Sequence, residues 1–359
     1  MVSVRKVLFV ANSDRHIKLC HIPYMKMFHD NDYLVHVATD TKDRIIYCDK
    51  KINIGLRRNP YHIMNIFALF NLRRLVKIEN YDLISCHTPI GAVLGRCCIL
   101  GLSKKSRPKV IYTAQGFHFY KGAGIINWII YYPIEKFLSR FTDAIITMNE
   151  EDYTIAKKRF HCDVYKINGI GLREERLLLQ EKNLRKRLNL KNKFVVTYIA
   201  EVSKRKNQLS FLRVLKKYHL NRRIVFLFVG DSNINNINDK LSSYKNVKYV
   251  GFHDNIGDYI NMSDLIISPS RQEGLPQNIL EALYFHKVVI GMNIRGTKDL
   301  LGNNRGVLVN DLDEMINKII DFEKHPYQVD NFNLDEYKIE NVSCEVKKIV
   351  NNYLEKKIK

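Results

Sequence analysis

The sequence predicts an α/β protein made of two doubly wound domains, and three observations carry that expectation. The chain has 359 residues, 46% of them hydrophobic, which is too long for one ordinary core and apolar enough for two. In its first half, short β-branched runs alternate with segments of helical spacing, a rhythm that predicts a parallel sheet flanked by helices. The rhythm stops at a charged segment, 168–193, and then restarts. Two Rossmann-like domains with parallel sheets, facing each other across a cleft, are the expected architecture.

In the first half the expected buried strands are 7–12, 34–39, 82–87, 109–114 and 143–148, each bounded by turn or polar residues. Helical spacing fills 22–30, 63–79, 90–102 and 128–140 between them. The interruption begins with a Gly-containing turn and continues as a charged, helical connector. Strands are expected again at 194–200, 224–230, 247–252, 265–270 and 288–293. The tail reads as an amphipathic helix with Val346, Ile349, Val350, Tyr353 and Leu354 on one side. The expected domains are therefore 1–168, a linker at 169–193, 194–334, and a C-terminal helix over 335–359 that has the first domain as a candidate packing surface.

Composition narrows the function. The formal charge is +21, which implies anionic company: nucleic acid, acidic lipid or a phosphorylated substrate. The excess is spread over both halves, with no zinc finger, RRM signature or helix-turn-helix beside it, so a nucleic-acid partner is not expected. The seven cysteines show neither CxxC pairing nor zinc-ligand spacing and read as reduced core thiols of a cytosolic protein. The start of the chain reads as a first strand, too short for a signal-peptide core, and no apolar run is long enough to span a bilayer.

The chemistry concentrates in Ser268-Pro-Ser-Arg-Gln-Glu-Gly-Leu-Pro-Gln-Asn-Ile-Leu-Glu-Ala-Leu283. A strand gives way to a loop, and Pro276 is expected at the first helical position, where a missing N–H costs nothing. The free amides of such a helix start suit a diphosphate. Glu273 before the helix and Glu281 on it are spaced to hold different hydroxyls of one sugar nucleotide; the plain alternative is a loop acid and a helix-surface acid.

This segment resembles the Glu-x7-Glu signature of retaining glycosyltransferases of the GT-B fold, family 4, in the form EG-apolar-P followed by LEA. Tyr112-Thr-Ala-Gln-Gly-Phe-His-Phe-Tyr-Lys-Gly-Ala123, Asp14-Arg-His16, His21-Ile-Pro-Tyr24 and Ile199-Ala-Glu-Val-Ser-Lys-Arg-Lys-Asn-Gln208 are similar to its capsular and exopolysaccharide subgroup. The resemblance runs from the first strand to about residue 310.

The resemblance implies roles. Glu281 would hold the nucleotide ribose and Glu273 the donor-sugar hydroxyls, with the amides around Gly274 and Leu275 facing sugar and phosphates. Lys206 matches the lysine that neutralises the diphosphate. The usual arginine five residues earlier is Glu201 here, leaving Lys204 or Arg205 to compensate or to remain a solvated charge run. Relatives commonly carry histidine where this chain has Gln115, which can donate and accept hydrogen bonds but holds no proton charge. His118 is a candidate substitute, with a packed loop histidine as the alternative. The first loop lacks the usual glycine pair; Ser13, Asp14 and His16 are then candidates for acceptor or donor contact, or Asp14 merely caps the following helix. The base would be read by backbone groups of 252–256.

No metal motif is present, and the resemblance implies metal independence, with a nucleotide sugar as co-substrate and no further cofactor. It also implies a polyprenyl-diphosphate-linked glycan acceptor and a peripheral position on the inner face of the plasma membrane. Tyr61–Lys77 and Ile125–Phe141, apolar and aromatic with basic residues, suit an anionic leaflet. The expected function is retaining transfer of a hexose or N-acetylhexosamine, with UDP as the expected carrier, in capsule, exopolysaccharide or O-antigen synthesis. The competing readings are a catalytically inactive donor-binding subunit, motivated by Gln115 and Glu201, a basic nucleic-acid-binding protein, and a UDP-sugar epimerase on the same architecture.

Overall fold

A computed structural model describes residues 4–41, 43–103, 106–232, 234–329 and 332–355. Its contacts divide the chain into two units, Met1–Gly171 with Ile339–Lys359, and Leu172–Lys338.

The first unit holds a parallel sheet of seven strands among the described residues: β1 (Lys6–Val10), β2 (Leu34–Thr39), β3 (Lys50–Asn53), β4 (Leu83–His87), β5 (Lys109–Ala114), β6 (Ala144–Thr147) and β7 (Asp163–Lys166). Their spatial order is β3-β2-β1-β4-β5-β6-β7. The central strands are buried on both faces, as helices on both sides require. The strands β3 and β7 were not expected from sequence. Each is four residues mixing charged, polar and apolar side chains, KKIN and DVYK, at a sheet edge where one side faces water.

The second unit repeats the plan with β8 (Phe194–Ile199), β9 (Ile224–Val229), β10 (Val247–Tyr249), β11 (Leu265–Ser268), β12 (Val289–Met292) and β13 (Val307–Val309), ordered β10-β9-β8-β11-β12-β13. The order reverses between β8 and β11. Ligands of such sheets bind beyond the carboxyl ends of the strands at that switch point. The loops leaving β8 and β11 carry Lys206 and Glu273.

The segment expected as a linker at 169–193 is part of the second core: Leu172, Leu177, Leu184 and Leu190 are buried in it. Only Glu174–Arg176 and Leu184–Arg187 are helical there, so the connector is not one charged helix. The helix Ile339–Leu354 packs in the first unit against the helix Ile22–His29, burying Val342, Val346, Ile349, Val350, Tyr353 and Leu354. The Tyr353 hydroxyl donates to Asp163 Oδ2 at 2.5 Å. Residues 356–359 of the expected tail lie outside the described residues. Of the cysteines, Cys86 and Cys98 are buried core thiols, whereas Cys344 is exposed.

Candidate active site

In the second unit, β11 ends at Ser268 and the helix Gln277–Tyr284 follows. Pro276 is its N-cap, in extended conformation, one position earlier than expected. A proline N-cap offers no side-chain oxygen, so the first amides of this helix get no side-chain cap.

Between strand and helix the loop is held from three directions. Lys206 Nζ donates to Glu273 Oε1 at 2.6 Å, and Arg205 Nη1 donates to Glu273 Oε2 at 3.2 Å. Arg271 reaches Asn207 Oδ1 at 2.9 Å and the Ser210 hydroxyl at 3.0 Å, and Asn207 returns a hydrogen bond to the Pro269 carbonyl at 3.1 Å. Arg295, buried at the start of the helix Arg295–Leu301, donates from Nε to the Glu273 carbonyl at 2.9 Å. Gly296 beside it lies so close that an added Cβ would stand 1.8 Å from the Gly274 carbonyl oxygen. The loop has one available position.

The two glutamates have different electrostatic fates. Both are buried. Burial alone would push Glu273 up, but the charges of Lys206 and Arg205 outweigh it and hold the carboxyl below its ordinary value. Burial wins at Glu281, which is raised to about 7 against the more distant charges of Arg176, Arg173 and Lys206. Sequence reasoning missed Arg295, Arg173 and Arg176. The clue to Arg295 was an arginine one residue before a glycine at a helix start; nothing in the spacing pointed to the other two.

Of the two candidates for the missing arginine, Arg205 is turned onto Glu273 and Lys204 is exposed. The Glu201 carbonyl accepts from Gln208 Nε2 at 3.0 Å. Leu275 packs against the second core.

In the first unit, Ser13 caps the helix Asp14–Cys20, its hydroxyl accepting from the His16 amide at 3.2 Å. Asp14 is not the cap, and it is not open for a ligand. Its buried carboxylate accepts from the Thr39 and Thr41 hydroxyls, from the Asp43 amide at 3.1 Å, and pairs with Lys51 at 2.9 Å. That corrects the expectation of a substrate contact: Asp14 fastens the first loop to the segment after β2. His16 stands 3.1 Å from His21, Nε2 to Nε2, and burial lowers it to about 4. The His21 ring lies 3.7 Å from that of His87, which stacks on Phe9. Gln115 presents a buried side-chain nitrogen with no hydrogen-bond partner. His118 stacks on Tyr131, centroids 4.5 Å apart, and lines an apolar cavity.

Sequence profiles agree with this geometry. The profile described as Glycosyl transferase 4-like matches residues 6–149, and that described as Glycosyl transferases group 1 matches 180–341, which contains the whole Glu273–Glu281 segment. The chain belongs to the group 1 glycosyltransferases. This glycosyltransferase is 35% identical over 309 residues to EpsD of Bacillus subtilis, covering 83% of the chain and 81% of the relative. It is 30% identical over 284 residues to the UDP-Gal:alpha-D-GlcNAc-diphosphoundecaprenol alpha-1,3-galactosyltransferase of Escherichia coli, covering 74% and 72%. The crystal structure of HepE from Anabaena with UDP and glucose superposes with a TM-score of 0.76 at 17% identity, over 97% of this chain and all of that one. At that identity the likeness shows the GT-B fold. The chain is a glycosyltransferase of polysaccharide biosynthesis.

Proposed function

We propose that this glycosyltransferase moves a hexose or N-acetylhexosamine, with retention, from a UDP-sugar to a lipid-diphosphate-linked glycan at the inner face of the plasma membrane. The observation that carries the reading is the Lys206–Glu273 contact at the switch point of the second sheet, with Glu281 eight residues on. Two loops thereby present a cation and a carboxylate fixed by it. The helix that follows presents an N-terminus without a side-chain cap and a second carboxylate. These are the groups a sugar nucleotide calls for: cation and amides for the diphosphate, carboxylates for ribose and sugar hydroxyls.

In the proposed reaction the bond from sugar C1 to the diphosphate oxygen breaks and a bond from C1 to the acceptor oxygen forms on the same face. The acceptor's proton passes to the leaving diphosphate oxygen. Lys206, Arg205 and the positive end of the helix Gln277–Tyr284 offset the charge growing on the leaving group, so no metal is assigned. The E. coli relative is named for a UDP-sugar donor and a diphosphoundecaprenol acceptor, which supports both halves of the assignment.

A membrane position is supported by exposed apolar residues on two helices of the first unit. Ile66, Phe67 and Phe70 lie on Met64–Glu79, beside Arg73, Arg74 and Lys77; Ile126, Ile129, Ile130 and Phe137 lie on Ile125–Leu138, beside Lys136. Apolar side chains rimmed by cations suit an anionic leaflet. No helix among the described residues is long and apolar enough to cross a membrane.

The deciding experiment is titration with UDP-, GDP- and ADP-sugars, followed by transfer to membrane-extracted acceptor, for wild type and Glu281→Ala. Saturable binding of one UDP-sugar and transfer, both lost in the variant, support the reading. No binding to any of the three overturns it. Binding without transfer favours the second reading, a donor-binding subunit without turnover, which the unpartnered Gln115 amide nitrogen in place of a histidine motivates.

A further inference from the structure

The first unit contains a cavity of about 280 Å³, lined in part by His118. It opens between the two helices that carry the exposed apolar faces. Tyr61 and Asn65 line it at the start of Met64–Glu79, and Tyr131 and Ile134 line it from Ile125–Leu138. Ile90, Val93 and Leu94 come from Pro89–Cys97, and Tyr112, Phe117 and Phe119 from the end of β5 and the loop beyond. At the mouth, Tyr61 is 83% exposed and Ile134 41% exposed.

Its acidic and amide groups are already paired. Glu135 is the acidic lining residue, and it forms a bidentate pair with buried Arg96 at 2.7 and 3.0 Å. Arg96 in turn lies over the Tyr112 ring at 4.3 Å. Asn65 accepts from the Arg57 amide and donates to the Asn59 carbonyl, both at 2.8 Å. What remains to face an occupant is mostly aromatic and branched aliphatic carbon, with the His118 ring stacked on Tyr131 and the tyrosine hydroxyls as the other polar atoms. A sugar entering here would leave most of its hydroxyls unpaired, at a cost of about 1–3 kcal/mol for each. The chemistry selects an uncharged, branched hydrocarbon.

Charge at the rim selects what that hydrocarbon is attached to. The loop that brings Pro60 and Tyr61 to the mouth carries exposed Arg57 and Arg58, and the Asn65 bonds fix its position. A hydrocarbon tail with an anionic head satisfies both features. Volume sets the length: a five-carbon branched unit fills roughly 100 Å³ at interior packing density, so two or three units fit.

We propose that this cavity binds the diphosphate-proximal isoprene units of the lipid-linked acceptor, with the diphosphate toward Arg57 and Arg58. The inference rests on the transferase reading above, and adds to it a site that grips the carrier lipid itself. The exposed faces around it would then hold the enzyme at the bilayer while one chain is drawn into the cavity. Recognition of the acceptor begins at its carrier as well as at its glycan.

The test uses the full-length protein and a diazirine-bearing farnesyl diphosphate, with a diazirine-bearing hexadecyl phosphate as the straight-chain comparison. Irradiation is expected to label peptides containing Tyr61, Val93 or Tyr131 with the farnesyl probe, at least about fivefold over the hexadecyl probe. Val93→Trp, which fills the cavity from a half-buried position, is expected to reduce that labelling by about tenfold. Ile134→Gln, at the partly exposed mouth where the fold is least at risk, is expected to reduce it by about threefold. Labelling spread over Ile66, Phe67, Phe70 and Ile129 and unchanged in both variants overturns the proposal, as does equal labelling by the straight chain. Sugar transfer by the wild type to membrane-extracted acceptor is measured in parallel. Transfer without cavity labelling removes the cavity assignment alone; absence of transfer removes the transferase reading and the assigned occupant with it.

Discussion

Lys206 Nζ and Glu273 Oε1 are 2.6 Å apart, and both side chains are largely shielded from water. Removing one partner of a shielded pair leaves the other uncompensated. Lys206→Met is therefore expected to cost about 3 kcal/mol of stability in urea unfolding, and to cut transfer by about a hundredfold or more. Because the folded state holds Glu273 below its ordinary value, its contribution is present above that value and is lost as pH falls through the depressed one. A Lys206→Met protein as stable as wild type would show that the contact carries no energy.

Glu281 titrates in the opposite sense. Its folded value is raised from 4.5 to about 7 by burial, so the folded protein keeps a proton that the unfolded chain has released between those values. The stability it contributes is complete below 4.5 and is lost as pH rises through about 7. In the proposed role, ionised Glu281 is the form that would accept from ribose hydroxyls. UDP affinity by calorimetry is expected to rise several-fold between about pH 6 and 8, and Glu281→Gln to flatten that rise while weakening binding throughout. A flat wild-type profile would separate Glu281 from the ligand.

The histidines of the first unit predict acid sensitivity. His16 is lowered to about 4, and His21 and His87 well below the ordinary 6.5, chiefly by burial. Their neutral forms are at no disadvantage above 6.5; as pH falls below it the unfolded chain takes up protons that the folded protein refuses. Stability should fall by up to about 1.4 kcal/mol per pH unit for each histidine. His87→Phe, stacked on Phe9, is expected to lower the slope of Tm against pH on the acid side. An unchanged slope would place the acid sensitivity elsewhere.

Gly296→Ala tests how tightly the loop carrying Glu273 is fixed. An added methyl 1.8 Å from the Gly274 oxygen cannot be absorbed by a side-chain rotation. Helix or loop must move, at a cost of roughly 2 kcal/mol or more, and UDP-sugar affinity should drop about tenfold. Retained affinity, measured by titration, would mean the loop tolerates displacement.

For the membrane face, Phe67→Gln with Ile129→Gln removes two exposed apolar side chains without touching the cores. Sedimentation with phosphatidylglycerol vesicles should weaken by about tenfold, and added salt should weaken it further. Equal sedimentation of variant and wild type would assign this surface to something other than lipid.

How much of this was legible in the chain differs by region. The central strands were, because Val7, Leu8, Phe9 and Val10 in β1, or Leu265, Ile266 and Ile267 in β11, are buried on both faces and write continuous apolar runs. The edge strands β3 and β7 were not legible, because a strand wetted on one side looks like a polar loop. The Glu273–Glu281 spacing and Lys206 could be read from the chain, but not the direct contact between Lys206 and Glu273, which joins loops 67 residues apart in sequence. Asp14 was misread because its partners Thr39, Thr41 and Lys51 lie on other strands and a flanking loop, and no local pattern announces them. The cavity was illegible for the same reason: its lining comes from separate stretches of the first unit.

The helix Ile339–Leu354 belongs to the first unit, although the whole of Leu172–Lys338 is synthesised before it. On the ribosome, the face of Ile22–His29 that this helix covers stays bare until residues 339–354 emerge. Counted from the end of the first stretch at Gly171, that delay is roughly ten to forty seconds at ordinary elongation rates. The second unit can close on itself in that interval and the first cannot. The nascent chain therefore carries a half-finished, greasy surface through most of its synthesis, and a chaperone that shields such surfaces has a defined window in which to act.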